Sequence, residues 1–143
     1  MWTCPECERR FGRANQGHEC APALSIAEFF ESGPDFERPI FEVVRAHLLD
    51  AAIHDAAPDE LWIEPVSVGI FFKRRTSFVQ LRTMTKWVAV CFNLERKVTS
   101  NRLARKVIAH SGRHYHVVNV RSADEIDDQL LDWLTEAWTV DAP

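Results

Sequence analysis

The 143-residue sequence predicts an α+β fold: an N-terminal zinc knuckle, then helices packed on one face of a four- to five-stranded, mainly antiparallel sheet, with a closing C-terminal helix. Three observations predict it. Cys4, Cys7, His18 and Cys20 fall in the order C-x2-C, ten residues, H-x-C, a spacing that suits four tetrahedral ligands of one structural zinc ion. Segments of helical period, introduced by capping signals, lie on either side of the central chain. Between them run β-rich segments joined by connections too short for parallel crossovers.

The knuckle is expected over residues 1–22, with an α+β domain over 23–143. A C-x2-C turn supplies two thiolates from one tight loop, and Gly12, Asn15 and Gly17 suit the reversals that return the second pair. Zinc held by three thiolates and a neutral imidazole carries one net negative charge, which Arg9, Arg10 and Arg13 are placed in sequence to offset. Four protein ligands close the coordination sphere, so the site is structural. A redox dithiol at Cys4 and Cys7 is the alternative, and it leaves His18 and Cys20 unexplained.

Ser25-Ile26-Ala27-Glu28 reads as a capping box opening a short helix that Ser32-Gly33-Pro34 stops. A longer helix begins between Asp35 and Pro39, presents Ile40, Val44, Leu48 and Ala51 on one face, and ends near Ala56-Ala57-Pro58. Strands are expected at Leu61 to Glu64, Val66 to Phe72, Ser77 to Arg82, Lys86 to Leu94 and His114 to Val120. The fourth is apolar on both faces and therefore central. Asn101 to His110 reads as a short basic helix ended by Gly112. Ser122-Ala123-Asp124-Glu125 reads as a second capping box, opening a helix with Ile126, Leu130, Trp133, Leu134 and Ala137 in register.

These residues resemble a family of small, mostly prokaryotic proteins known only as a domain of unknown function. The resemblance runs over Trp2-Thr3-Cys4-Pro5-x-Cys7, Arg10-Phe11, Asn15-Gln16-x-His18-x-Cys20, Ser25-Ile26-x-Glu28-Phe29-Phe30, Val66 to Phe78 and Ser122 to Asp127. It implies zinc at the four named positions and an α+β C-terminal domain, and brings no established reaction. Similar proteins sometimes carry glycine where Glu8 stands.

The net charge of −4 conceals three blocks. Residues 1–72 hold five Lys/Arg and thirteen Asp/Glu, residues 73–121 hold twelve Lys/Arg and only Glu95, and residues 122–143 hold seven Asp/Glu and no Lys/Arg. Lys73, Arg74, Arg75, Arg82, Lys86 and Arg113 are the candidate anion-binding residues of the middle block, with Phe71, Phe78, Trp87 and Tyr115 interleaved. Cations beside aromatic faces on a sheet suit nucleic acid, above all single strands. The competing expectation is internal pairing with the acidic blocks on either side.

His114 and His116, two apart on a strand, share one side, with Tyr115 opposite. They are the candidate functional histidines of an alternative: a hydrolase or other small-molecule enzyme using neighbouring arginines. A third alternative is a protein-interaction adaptor. No H-E-x-x-H, G-x-S-x-G or phosphate-cradling glycine loop is present. No apolar run spans a membrane, no secretory leader is expected, and clustered cysteines suit a cytoplasmic setting. Nothing in the sequence fixes an oligomeric state. The first expectation is a zinc-stabilised, non-enzymatic binding module.

Overall fold

The computed structural model describes every residue from Met1 to Pro143. The short strands β1 (Trp2–Thr3) and β2 (Arg10–Phe11) pair antiparallel within the knuckle. Helix α1 (Ile26–Phe29) starts on the predicted capping box: Glu28 N–H donates to Ser25 Oγ, and Ser25 N–H donates to Glu28 Oε1, each at 3.0 Å. Helix α2 (Glu37–His54) buries Ile40, Phe41, Val44, Leu48 and Ala52, one stripe at helical spacing.

Six strands follow: β3 (Trp62–Val66), β4 (Gly69–Lys73), β5 (Ser77–Thr83), β6 (Val88–Leu94), β7 (Ile108–His110) and β8 (Arg113–Val120). They form one antiparallel sheet in the order β3-β4-β5-β6-β8-β7. Helix α3 (Asp128–Val140) closes the chain against α2, β5 and β6. One face of the sheet therefore meets the helices. Ile70, Phe72, Val79, Leu81, Val90, Phe92 and Val118 point into that layer and join α2 and α3 in a single core. The register shifts between Phe72 and Lys73, and both Phe78 and Val79 reach the core beside this irregularity.

Three local expectations need correction. The strand expected from Val66 to Phe72 is broken by a turn at Ser67-Val68, so Val66 faces Gly69 across a hairpin. Gly69 has φ +150°, and a Cβ there would lie 2.1 Å from the Leu81 carbonyl oxygen. Only glycine allows β4 to begin at that point. Asn101 to His110 is not helical. Leu103 bridges Val118, Ala104 N–H donates to Val117 O, and β7 pairs with β8, so this segment runs along the edge of β8. Ser111 and Gly112, both at positive φ, form the two-residue hairpin turn and add a sixth strand. Ser122 does not cap a helix side chain to backbone; residues Ala123–Glu125 make a 3-10 turn, and Asp127 is the cap of α3, accepting from Leu130 N–H at 3.0 Å.

The other sheet face carries Glu64, Phe71 and Lys73 at the β3–β4 side, and Gln80, Arg82, Ala89, Cys91, Asn93, Tyr115, Val117 and Asn119 across the rest. The knuckle sits on the first group. Ala89, Cys91 and Val117 form a small second cluster with Tyr115 in the centre of the remainder.

Candidate metal centre

Cys4, Cys7, His18 and Cys20 converge as predicted, their four donor atoms all within 4.8 Å of one another. Local backbone geometry brings them there. Glu8 N–H donates to Cys4 O and Cys4 N–H to Arg9 O, each at 2.9 Å, closing the C-x2-C loop. Glu8 takes φ +63°, a left-handed conformation that glycine adopts more readily. His18 Nδ1 lies 2.7 Å from Gln16 O, so Nδ1–H donates to that carbonyl and the Nε2 lone pair is left facing the cysteines. The His18 ring stacks on Phe11 with centroids 4.1 Å apart, which fixes its plane. Backbone N–H of Cys7 brings the Cys4 thiol down to about 6, and the neighbouring Cys4 sulfur pushes Cys20 up to about 11. Cys4 is thus the sulfur held nearest to its thiolate form, and a thiolate is the form that binds metal. The set is a soft, four-donor cage for one metal ion.

The knuckle is joined to the sheet by buried charge. Arg9 Nε donates to Glu64 Oε1 at 2.9 Å, Lys73 Nζ donates to the same oxygen at 2.8 Å, and Arg10 N–H donates to Glu64 Oε2 at 2.9 Å. Lys73 Nζ also donates to Arg10 O at 2.6 Å and stands 4.2 Å from the Phe11 ring centroid. Exposures are 8% for Arg9, 3% for Lys73 and 1% for Glu64. Burial alone would raise the Glu64 pKa, but hydrogen bonds from Lys73, the Arg10 backbone and Arg9 hold it below its ordinary value. Of the three arginines expected to offset the metal site, Arg9 turns inward, while the Arg10 guanidinium lies over the Trp62 ring at 4.7 Å. Arg13 is exposed.

The candidate anion-binding residues separate. Lys73 is consumed by Glu64. Arg74 Nε donates to Glu60 at 3.0 Å, and its guanidinium lies 3.8 Å from the Trp138 ring centroid. Arg113 pairs with Glu95 and donates to Val140 O. Arg75, Arg82 and Lys86 are exposed and in no ion pair, as are Lys97, Arg105, Lys106 and Arg121. Internal pairing, the competing expectation, takes Lys73 and Arg74 of the six candidates onto the acidic blocks and Arg113 onto Glu95, with Arg96 on Glu136 and Arg102 on Asp127 as well.

The candidate histidines stand in different surroundings. His116 is 1% exposed, stacks on Phe92 at 5.1 Å and 3°, and accepts from Val98 N–H through Nε2 at 3.0 Å. Burial lowers its pKa. It is a neutral core residue with its proton on Nδ1, an atom that has no partner. His114 is half-buried, and His110 is exposed on β7.

A cleft of about 450 Å³, which sequence reasoning missed, opens between the knuckle and the sheet. Phe11 and Arg9 line it from the knuckle, Phe71 and Lys73 from β4, Ser67 from the β3–β4 turn and Ser77 from the start of β5. Its one legible signal is the alternation of Glu64 and of Phe71 and Lys73 with apolar neighbours, which marks a second sheet face needing a cover.

No helix is long and apolar enough to cross a membrane. No curated protein and no solved structure matches the chain. One family model, described as a domain of unknown function (DUF5655), matches residues 26–141, beginning just beyond the last cysteine of the knuckle, and the chain belongs to that family.

Proposed function

We propose that the chain is a non-enzymatic binding module in which a structural zinc ion staples the knuckle to the sheet, and in which the open sheet face holds single-stranded nucleic acid. Zinc suits the donor set. A tetrahedron with Zn–S near 2.3 Å and Zn–N near 2.0 Å has S–S edges of about 3.8 Å and S–N edges of about 3.5 Å. Cys4 and Cys20 sulfurs are 3.7 Å apart, and Cys7 Sγ is 3.4 Å from His18 Nε2. Four protein donors leave no position for water or substrate, so the ion shapes the fold and does no chemistry.

The observation carrying the nucleic-acid reading is the surplus of unpaired cations around the open face. Arg82 pairs in register with Ala89, which faces Asn119, placing Arg82 on that face. Lys86 lies in the β5–β6 turn and Arg121 follows β8, so both stand at the end where Val88 meets Val120. The Arg105 guanidinium lies 5.6 Å from the Tyr115 ring centroid. Exposed cations around a sheet face with a half-buried aromatic, Tyr115, can neutralise phosphates and stack bases.

Titration of the zinc-loaded protein with labelled single-stranded DNA and RNA at low and moderate salt tests this. The expected result is affinity that falls steeply with salt. Arg82→Glu with Arg105→Glu should weaken it and make the log–log salt slope shallower by roughly 0.7 per cation lost. Absence of salt-sensitive binding to either strand type overturns the nucleic-acid reading and leaves the zinc module without it.

A further inference from the structure

The cleft beneath the knuckle has no surplus positive charge inside and a free cation, Arg82, outside. Arg9 and Lys73 exceed Glu64 by one positive charge, while Glu19 in the cleft wall and a divalent ion held by three thiolates and a neutral imidazole bring one negative charge each. No positive charge is left over inside, so the interior suits an uncharged group rather than an anion. Its aromatic walls are Phe11 and the half-buried Phe71, and hydroxyls of Ser67 and Ser77 stand at its borders. Its volume of about 450 Å³ falls in the range of small-ligand sites, roughly 300–1,000 Å³. The nearest unpaired cation on the same sheet face is Arg82. Phe71 is paired with Gln80, so Arg82 is its diagonal neighbour, about 7–8 Å away along the face.

An aromatic slot without surplus positive charge, with a free cation one diagonal step outside, suits a nucleotide, its base inside and its phosphate outside. We propose that the cleft receives a nucleobase against Phe71 while the attached phosphate rests on Arg82. This rests on the open face being the anion-binding surface, and it assigns the cleft as the place where that surface holds a base. The nucleotide comes either from a single strand lying along the sheet or from a free mononucleotide.

The full-length, zinc-loaded protein is titrated with labelled oligothymidylate, with an abasic strand of the same length, and with thymidine monophosphate. Phe71→Leu keeps an apolar wall without a π face, and Ser67→Trp fills the cleft from an exposed turn; zinc content shows that each variant keeps its knuckle. Base–aromatic stacking corresponds to roughly tenfold or more in affinity per base. Both variants should therefore lose about tenfold for oligothymidylate and nothing for the abasic strand. Arg82→Glu should weaken both strands. Binding of the monophosphate alone, lost in both variants, also supports the cleft and identifies a free nucleotide as the source. Unchanged oligothymidylate affinity in both variants overturns the cleft site while leaving the binding face intact. No binding of any probe by the unaltered protein overturns the cleft and the face together.

Discussion

Arg9 in the knuckle and Glu64 on β3, fifty-five positions apart, meet in a buried hydrogen bond of 2.9 Å. Lys73 completes the arrangement from β4, donating to the same carboxylate oxygen. This carboxylate, with the Lys73 bond to Arg10 O, fastens the knuckle to the sheet that the family match covers. Two buried cations depend on one buried anion, so the contact is costly to disturb.

Glu64→Gln should therefore destabilise the protein by about 3 kcal/mol, because it leaves Arg9 and Lys73 buried without a counter-charge. Urea denaturation of both proteins measures it. The knuckle should also release zinc to a chelator faster, since its docking surface is lost. A change of a few tenths of a kcal/mol would mean that the triad is solvated in solution.

Glu8 holds a left-handed backbone at φ +63°, which costs a non-glycine residue about 1 kcal/mol. Glu8→Gly should relieve that strain and raise zinc affinity several-fold, read by competition with a chelating dye. Gly69→Ala makes the opposite case. The new Cβ would lie 2.1 Å from the Leu81 carbonyl oxygen at φ +150°, and the β3–β4 hairpin should lose about 3 kcal/mol or more.

His116 gives the protein an acid limit. Its pKa is lowered by burial in the folded state, so on unfolding it takes up a proton in the window between the folded value and the ordinary value of about 6.5. The unfolded state binds more protons there, and stability falls as pH drops below about 6.5. His116→Phe should remove this part of the pH dependence. It also leaves Val98 N–H without its acceptor, lowering stability by about 1–3 kcal/mol at neutral pH. Denaturation curves of both proteins from neutral to mildly acid pH check the sign; parallel curves would contradict the assignment.

Much of the architecture was legible because local chemistry dictated it. The Ser25–Glu28 box, the stripe on α2 and the doubly apolar β6 depend on neighbours within a few positions, and the convergence of Cys4, Cys7, His18 and Cys20 on simple spacing. The failures share a cause. The segment from Asn101 to His110 has helix-compatible residues, but its backbone groups bond to β8, a partner the sequence does not announce. The β3–β4 turn lacks an Asn-Gly or Asp-Gly signal, and the sole clue is Gly69, one residue past the turn. Charge blocks were counted correctly, yet pairing is decided across strands. Lys73 belongs to the basic block and Glu64 to the acidic one, and adjacent strands bring them within 2.8 Å. Asp141 likewise accepts from the backbone of Arg75 and Thr76, tying the end of α3 to the β4–β5 turn.

The most direct test of the zinc-stapled module is metal analysis of the purified protein beside its Cys20→Ser variant, with heteronuclear NMR of both. One zinc per chain, lost or weakened in the variant, is expected from the single donor cage. Resonances of residues 1–22 and of Glu64 and Lys73 should shift with it, while those of α2, β6 and α3 stay in place. A protein that folds with no zinc and joins Cys4 to Cys7 as a reversible disulfide would contradict the account, and the knuckle would then be a redox pair.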